Sequence, residues 1–303
     1  MTGAFATLIP VFAVILTGLG LRLTAFPGRE FWPAAERLTY FILFPALLLQ
    51  STATAAYSPG VFPRLALALL LATCIMVGLL FLLRPRLTAS LPSFSSVVQG
   101  SIRFNTYVGF SISLAMAGRE GLAAASLVIA ILIPLVNLFS VVTLAMASGR
   151  TSPARLLLTV ARTPPFLACL LGLAINGSGI SLPETVGNLL SLFGRASLPL
   201  GLLAVGASLH WQGISRQPGI ILFSSATKLA GFPLLIFAIG SLAGLPDGML
   251  AQAVLFGALP GSASSYILAK QLGGDHELMA AIITGQTAAS LLTLPVVLAL
   301  LPL

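Results

Sequence analysis

Residues 252–266 read Gln-Ala-Val-Leu-Phe-Gly-Ala-Leu-Pro-Gly-Ser-Ala-Ser-Ser-Tyr, a run of small and apolar residues with a Pro-Gly pair at its centre. The run and its flanks are apolar enough to cross a bilayer, where the backbone must satisfy its own hydrogen bonds as a helix. Pro260 has no backbone N–H and its ring clashes with the preceding turn, while Gly261 adds conformational freedom. The stretch therefore predicts a membrane-spanning helix that is interrupted near its middle.

A second segment of this kind covers residues 99–113, which read Gln-Gly-Ser-Ile-Arg-Phe-Asn-Thr-Tyr-Val-Gly-Phe-Ser-Ile-Ser. Arg103, Asn105 and Thr106 fall near the middle of this span, which also carries several hydroxyl side chains. Charged and amide side chains are costly at that depth in a bilayer and usually serve a function. Unwound backbone is tolerated there only where protein or a water-filled cavity covers it. Paired interruptions are typical of the substrate site of secondary transporters.

The two interrupted segments occupy matching places in an internal repeat. In the first part of each half the offset is 154 residues: Pro10, Phe12, Leu16, Gly18, Pro45, Leu48, Leu49 and Ala53 match Pro164, Phe166, Leu170, Gly172, Pro199, Leu202, Leu203 and Ala207. Later the offset drifts by one, so that Gln99 matches Gln252 and Gly118 matches Gly273. Leu and Ala match often by chance in so apolar a chain, whereas the shared Pro and Gly positions favour duplication.

The composition is that of an integral membrane protein. Of the 303 residues, 57% are hydrophobic and 7% are charged, whereas a soluble domain carries about 25% charged residues. Ten segments are long and apolar enough to cross a bilayer as helices, namely 4–23, 35–56, 62–83, 95–117, 122–147, 157–176, 185–209, 218–243, 249–271 and 277–301. Each half holds five, and an odd number makes the second half enter from the opposite side. We therefore predict an all-α integral membrane fold of ten transmembrane helices in two inverted five-helix repeats.

The repeat divides the chain, and the basic residues orient it. The first repeat covers residues 1–147, a short basic cytoplasmic linker covers 148–164, and the second repeat, whose start overlaps the linker, covers 165–303. With the N-terminus outside, only two loop cations, Arg64 and Arg119, face outward. Ten then face the cytoplasm: Arg22, Arg29, Arg37, Arg84, Arg86, Arg150, Arg155, Arg162, Arg216 and Lys270. This bias predicts a multi-pass protein of the inner (plasma) membrane with both termini on the outer, periplasmic side. The net charge of +8 thus reflects orientation and not nucleic-acid binding.

The interrupted helices supply groups that suit an anion. Their N-terminal ends carry partial positive charge and N–H groups, which favour a carboxylate. The planar guanidinium of Arg103 can hold a carboxylate through two parallel hydrogen bonds, and Asn105 and Thr106 add neutral ones. Alternatively, Arg103 is structural and bonds to freed carbonyls or extends to the membrane surface. The candidate substrate-binding residues are Arg103, Asn105, Thr106, Gly109, Asn137, Gln252, Pro260, Gly261, Ser262 and Ser264.

The other polar residues within the spans leave their roles open. Lys228 and Arg195 either add to the positive field of the site or face a neighbouring helix or the surface, and Gln50 and Gln286 are further mid-span amides. The sequence places no Asp or Glu near the middle of any span, which argues against a cation exchanger. It also has no paired carboxylates, histidine cluster or phosphate-binding loop. We therefore expect no cofactor, no metal site and no enzyme activity.

Several motifs resemble those of the auxin efflux carrier family, whose bacterial members include malonate and malate permeases. Residues 258–261 with 269–275 are similar to the family's ninth span, residues 104–109 to its fourth, and residues 133–137 to its fifth. The resemblance covers essentially the whole chain. It implies a homodimeric carrier of small organic anions in the lipid bilayer, in which the broken fourth and ninth helices cross.

The resemblance also assigns roles to spans and residues. It implies a scaffold made of the first two and the sixth and seventh spans, with the remaining spans forming a transport unit. Asn105 and Pro260 take the positions of the family's crossover asparagine and proline. Phe104 stands where plant members have a proline, which predicts a less sharply broken fourth helix. The short central loop lacks the long regulatory loop of many plant carriers, so a bacterial carboxylate carrier is favoured over an auxin carrier.

The preferred hypothesis is alternating access for carboxylates such as malonate, malate or auxin-like weak acids. One rival is a sodium-coupled symporter of the bile-acid-transporter type, in which backbone carbonyls and the hydroxyls of Ser262, Ser264 and Ser265 bind sodium. A second rival is a membrane-embedded enzyme acting on a lipid or quinone. A third is a sensor that binds an anion without moving it.

Overall fold

The structure is a computed structural model that describes residues 2–28, 30–55, 60–88, 90–148, 162–211 and 217–301. Helices account for most of these residues, and the described part of the chain contains no strand. The α-helices are α1 (Thr2–Leu23), α2 (Phe31–Leu38), α3 (Phe44–Ala53), α4 (Val61–Leu87), α5 (Leu91–Ile102), α6 (Thr106–Ser148), α7 (Pro164–Gly177), α8 (Glu184–Ser208), α9 (Pro218–Ala226), α10 (Phe232–Leu242), α11 (Asp247–Ala258), α12 (Ala263–Leu272) and α13 (His276–Leu300).

The all-helical class predicted from the sequence is confirmed for the described residues. Five helical stretches among them have the length and apolar composition to cross a membrane, namely Val61–Leu87, Leu91–Ala147, Glu184–Ser208, Pro218–Leu242 and His276–Leu300, and two shorter apolar helices cover Leu8–Leu23 and Pro164–Gly177. Most of the predicted linker (149–161), with Arg29 and Arg216, lies outside the described residues. The inverted arrangement of two five-helix repeats stays a prediction.

Two spans contain a widened turn just before a Phe-Pro pair. The residues Thr39–Leu43 and Thr227–Gly231 form π-helical turns, and Pro45 and Pro233 follow each turn at the second residue of the next helix. A proline inside a helix lacks the N–H for the bond to residue i−4, and its ring crowds that carbonyl. The π turn relieves this conflict without ending the helix. Thus α2 continues into α3, and α9 continues into α10.

Helix α6 bends sharply at Gly118. The backbone of Ala117 and Gly118 is non-helical, and Gly118 has a φ of 54° that residues with a side chain rarely adopt. After the bend, Gly121 passes so close to the part of α6 before the bend that an added Cβ would overlap the carbonyl of Ser113. The bend therefore divides α6 into two helical arms.

The chain divides into two compact units. Unit one comprises Met1–Pro59, Thr106–Ala130 and Ala161–Ser208, and unit two comprises Gly60–Asn105, Ile131–Val160 and Leu209–Leu303. Unit one thus contains the first, second, sixth and seventh spans, the four that the resemblance assigns to a scaffold. It also contains residues 106–130, which the resemblance assigns to the transport unit. This difference has a structural reason, because the Tyr107 ring packs against Gly201 and lies edge-on to Phe44, 5.2 Å between centroids.

Glycines set the close packing inside unit one. A Cβ at Gly18 would overlap the Leu203 carbonyl, and a Cβ at Gly172 would lie 2.8 Å from the Leu49 carbonyl oxygen and overlap the Thr52 hydroxyl. Gly18 and Leu203 are the residues that match Gly172 and Leu49 at the offset of 154. The contact between α1 and α8 therefore recurs between α7 and α3, with the two halves of the chain exchanged.

In unit two, helices α9, α12 and α13 share an apolar core. Its fully or nearly buried residues are Ile221, Ala269, Leu278, Met279, Ala281, Ile282 and Ile283. At one end of α13, the Asp275 carboxylate accepts hydrogen bonds from Leu278 N at 3.0 Å and from the Ser93 hydroxyl at 2.8 Å. Asp275 thus caps α13 and ties it to the start of α5.

Candidate functional site

Both helices that the sequence predicts to be interrupted are interrupted. Helix α5 ends at Ile102, Arg103 is extended (φ −74°, ψ 152°), and α6 starts at Thr106. Helix α11 ends at Ala258, and the chain stays non-helical until α12 starts at Ala263. The first interruption covers residues 103–105 and the second covers residues 259–262, so the first is one residue shorter; that it is less sharp than in plant members stays a prediction. Phe104 leaves the helix without a proline because its ring packs edge-on against Phe256, 5.4 Å between centroids.

The two interruptions are joined within unit two by backbone and amide hydrogen bonds. The N–H of Asn105 donates to the carbonyl of Pro260 at 2.8 Å. Gln286, a fully buried residue of α13, accepts from Gly261 N at 2.9 Å and donates to the Gly100 carbonyl at 2.8 Å. These bonds replace helical bonds that each interruption removes, as buried backbone groups require. The unwound segments are therefore a built feature of the fold.

Arg103 lies at this junction and is held by neutral oxygens. Its Nε donates to the Ser265 hydroxyl at 2.8 Å, one Nη donates to the Ser264 hydroxyl at 3.0 Å, and the other donates to Oδ1 of Asn137. The side chain is only 9% exposed. Both serines lie in the first turn of α12, so the guanidinium is fixed beside a helix N-terminus. The alternative in which Arg103 extends to the membrane surface does not fit this burial.

The N-terminus of α12 is shaped by its own serines. Ser262 is the N-cap, and its hydroxyl accepts from Ser264 N at 3.4 Å and lies 2.9 Å from the Ser264 hydroxyl. A helix N-terminus carries partial positive charge. Together with the permanent charge of Arg103, this end of α12 forms a positive, hydrogen-bonding region that suits an anion.

Lys228 stabilises the other side of the second interruption. It is fully buried in the π turn between α9 and α10, and its Nζ donates to the carbonyls of Gly257 at 2.7 Å and Phe256 at 3.3 Å. These carbonyls belong to the last turn of α11, where a cation is favourable. Its Nζ also lies 4.9 Å from the Phe232 ring centroid and 5.8 Å from that of Phe104. Lys228 therefore caps α11.

The structure brings together part of the predicted set. Arg103, Asn137 and Ser264 are in direct contact, Asn105 bonds to Pro260, and Gly261 is linked through Gln286 to Gly100 on α5. Gln252 is 3% exposed on α11, six residues before the end of that helix. Thr106 and Gly109 begin α6 and belong to unit one.

Two residues with important contacts were not assigned to the site from the sequence. Ser265 was considered only as a sodium ligand, although its place in a Ser-Ala-Ser-Ser run after Pro260 could have indicated contact with Arg103. Gln286 appeared only as one of several mid-span amides. Of the others, Gln50 donates to the Gly187 carbonyl at 3.1 Å in unit one. Arg195 is exposed on α8. Neither takes part in the site.

Comparison with known proteins gives a consistent assignment. The family model described as "Membrane transport protein" matches residues 4–298. An "Uncharacterized transporter" of Methanothermobacter thermautotrophicus is 23% identical over 300 residues, which is 97% of this chain and 97% of that protein. A "Putative malonate transporter" of Rhizobium meliloti is 28% identical over 154 residues, which is 49% of this chain and 48% of that protein.

Proposed function

Because this chain belongs to the membrane transport protein family, we propose that it carries small organic anions across a membrane by alternating access. The family match also confirms the resemblance to the auxin efflux carriers and makes the protein a multi-pass membrane transporter and not an enzyme. The substrates that we propose are carboxylates such as malonate, malate or auxin-like weak acids. The name of the Rhizobium meliloti relative supports this class of substrate.

One observation carries the proposal: the buried guanidinium of Arg103 is fixed beside the interruption of two helices. The oxygens of Asn137, Ser264 and Ser265 that accept hydrogen bonds from Arg103 orient the guanidinium plane. A carboxylate makes hydrogen bonds to guanidinium that are about twice as strong as those of a neutral acceptor. An arriving carboxylate can therefore displace a serine hydroxyl from Arg103. Asn105 and the backbone of residues 260–262 would supply the other hydrogen bonds.

Transport requires the occupied site to face each side of the membrane in turn. We propose that unit two, which holds Arg103, moves as a rigid body. Arg103, Asn105, Pro260 and Gln286 all belong to this one compact unit. Breaking the Asn105–Pro260 bond in such a motion would leave buried backbone groups unpaired. The two interruptions would therefore travel together.

The finer architecture is also part of the proposal. Ten spans in two inverted repeats, with crossing fourth and ninth helices, fit the exchanged contacts Gly18–Leu203 and Gly172–Leu49. The excess of cytoplasmic cations supports an inner (plasma) membrane location with both termini outside. The resemblance to the auxin efflux carriers supports a homodimer.

The sodium-coupled alternative receives no support from two of the three serines proposed for it. Ser264 and Ser265 accept hydrogen bonds from Arg103, and their oxygens therefore face a permanent positive charge. A sodium ion at these oxygens would be repelled by the guanidinium. Uptake measured with and without sodium at fixed membrane potential distinguishes the two mechanisms, and the proposal expects equal rates.

The test is flux of labelled malonate in proteoliposomes. Arg103→Lys keeps the charge but loses the planar fork, so we expect at least about a tenfold loss of flux, the equivalent of one charge-assisted hydrogen bond. The variant Asn105→Ala with Pro260→Ala should also lose flux. Arg195→Gln, which alters an exposed cation, is the matched control and should leave flux unchanged. If both site variants carry a carboxylate as fast as the wild type does, the proposed site is wrong.

A further inference from the structure

Gln99 is a fully buried amide with an unusual environment. It lies on α5, four residues before Arg103, and its side chain is 0% exposed. Neither its Nε2 nor its Oε1 has a hydrogen-bond partner within the part of the chain that the structure describes. Gln286 is equally buried, yet its amide bonds to Gly100, Ser224 and Gly261. The described fold therefore uses the Gln286 amide but not the Gln99 amide.

An amide without partners in a protein interior reduces stability. A buried donor or acceptor that loses its hydrogen bond retains the full cost of leaving water. Native proteins contain few such groups, and each one calls for an explanation, such as an ordered water, an ion or a bound ligand. A Leu at this position would have filled similar space without that cost. The unpartnered amide therefore offers a donor and an acceptor to a polar group that enters its surroundings.

The position of Gln99 relates this amide to the anion site. The N–H of Arg103 donates to the carbonyl of Gln99 at 2.9 Å, so the two residues are one helical turn apart. Residues four apart on a helix have neighbouring side chains on one face. A molecule bound at Arg103 thus has the Gln99 position within reach along α5.

We propose that Gln99 is a specificity-determining residue that hydrogen-bonds a second carboxyl group of the substrate. The inference rests on the proposed function, in which the first carboxylate binds Arg103. A carboxyl group offers oxygens to the amide N–H groups and, when protonated, a donor to the amide oxygen. A monocarboxylate would leave the amide unpaired, and a site built for a polar group discriminates strongly against a ligand that lacks it. The carrier should therefore prefer dicarboxylates.

Malonate and propionate provide a matched pair of probes, because both are three-carbon acids and only malonate has a second carboxyl group. Their labelled fluxes are measured in proteoliposomes containing the wild-type protein or Gln99→Leu. We expect the wild type to prefer malonate. In the variant, the ratio of malonate flux to propionate flux should be about tenfold lower than in the wild type, as expected for loss of one hydrogen-bonding partner. Its propionate flux should stay within about twofold of the wild-type value.

Thermal unfolding of the ligand-free proteins gives an independent readout. Gln99→Leu should unfold at the same or a higher temperature, since it removes a buried amide without a partner. Gln50→Leu is the matched control, because the Gln50 amide donates to the Gly187 carbonyl. It should lower the unfolding temperature and leave the flux ratio unchanged.

Two results would overturn the role of Gln99. One is an unchanged malonate-to-propionate ratio in Gln99→Leu, including an equal loss of both fluxes. The other is a lower unfolding temperature for this variant, which would mean that the amide is bound by the fold itself. If the wild type carries neither acid nor any other carboxylate, the proposed function fails, and the inference that depends on it fails too.

Discussion

Replacing Gly206 with Ala should destabilise the packing of α1 against α8. A Cβ at Gly206 would overlap the Ile15 carbonyl oxygen and lie 2.8 Å from the Ile15 carbonyl carbon and 2.9 Å from Leu19 N. Ordinary contacts between such atoms begin near about 3.4 Å, so clearing the Ile15 carbonyl oxygen requires the two backbones to separate by more than about 1 Å. The obstructing atoms are all backbone, and no side-chain rotation can remove the clash.

The magnitude follows from that separation. A gap of about 0.5–1 Å already removes a quarter to a half of the dispersion energy between facing atoms, and the separation needed here is larger. Overpacking of this kind costs about 1–3 kcal/mol, and the rigid backbone on both sides places Gly206→Ala at the upper end. Gly187 lies on the same helix, and a Cβ added there would meet no atom within 4 Å. Gly187→Ala should therefore gain up to about 1 kcal/mol from helix propensity.

Thermal unfolding of the two variants in the same detergent checks the prediction. Gly206→Ala should unfold at a lower temperature than the wild type, and Gly187→Ala at the same or a higher temperature. Gly18 lies in the same interface, where its Cβ would meet Leu203. Once Gly206→Ala has separated the helices, adding Gly18→Ala should cost less than it does alone. The reasoning is refuted if Gly206→Ala matches Gly187→Ala in unfolding temperature.

Two further substitutions test a helix cap and a helix bend. Asp275→Ala removes the cap of α13 at Leu278 and the bond from Ser93, so stability should fall by about 1–2 kcal/mol in chemical or thermal unfolding. The control is Asp247→Ala, which changes an exposed acidic residue in the first turn of α11. An equal loss of stability in the control would contradict the role of Asp275. Gly118→Ala places a side chain at a φ of 54°, and the strain should lower stability by about 1–3 kcal/mol in the same assay. Unchanged unfolding of that variant would mean that α6 bends for another reason.

The sequence allows the spans to be predicted because each depends on a local property, the apolarity of about 20 consecutive residues. The second interruption was also local, since Pro260 and Gly261 disfavour a helix by themselves. The first interruption was predicted from its polar residues, whereas the contact of Phe104 with Phe256, far along the chain, cannot be seen in the sequence. The π turns before Pro45 and Pro233 were not foreseen, as kinks and widened turns share the same sequence signal.

The site residues that could not be predicted are those that form hydrogen bonds between helices far apart in the sequence. Polarity at mid-span identified Arg103 and Asn105, but the partners Ser265 and Gln286 depend on how α12 and α13 pack. From the sequence, Lys228 could face the site, a neighbouring helix or the surface. In the structure it is buried and bonds to the end of α11. Gln99 served only to align the repeat, because an amide without a partner is visible only when every neighbour is known.

The bonds that join the two interruptions also constrain how the protein is made. The Gly100 carbonyl accepts a hydrogen bond from Gln286, 186 residues later in the chain, and the Asn105 N–H donates to the carbonyl of Pro260. During synthesis, residues 100–105 enter the bilayer before their partners exist. The emerging first half must therefore keep this segment helical, hydrated or held by the insertion machinery until the second half arrives. We expect the unwound segment to form late in biogenesis, when the second half of the chain packs against the first.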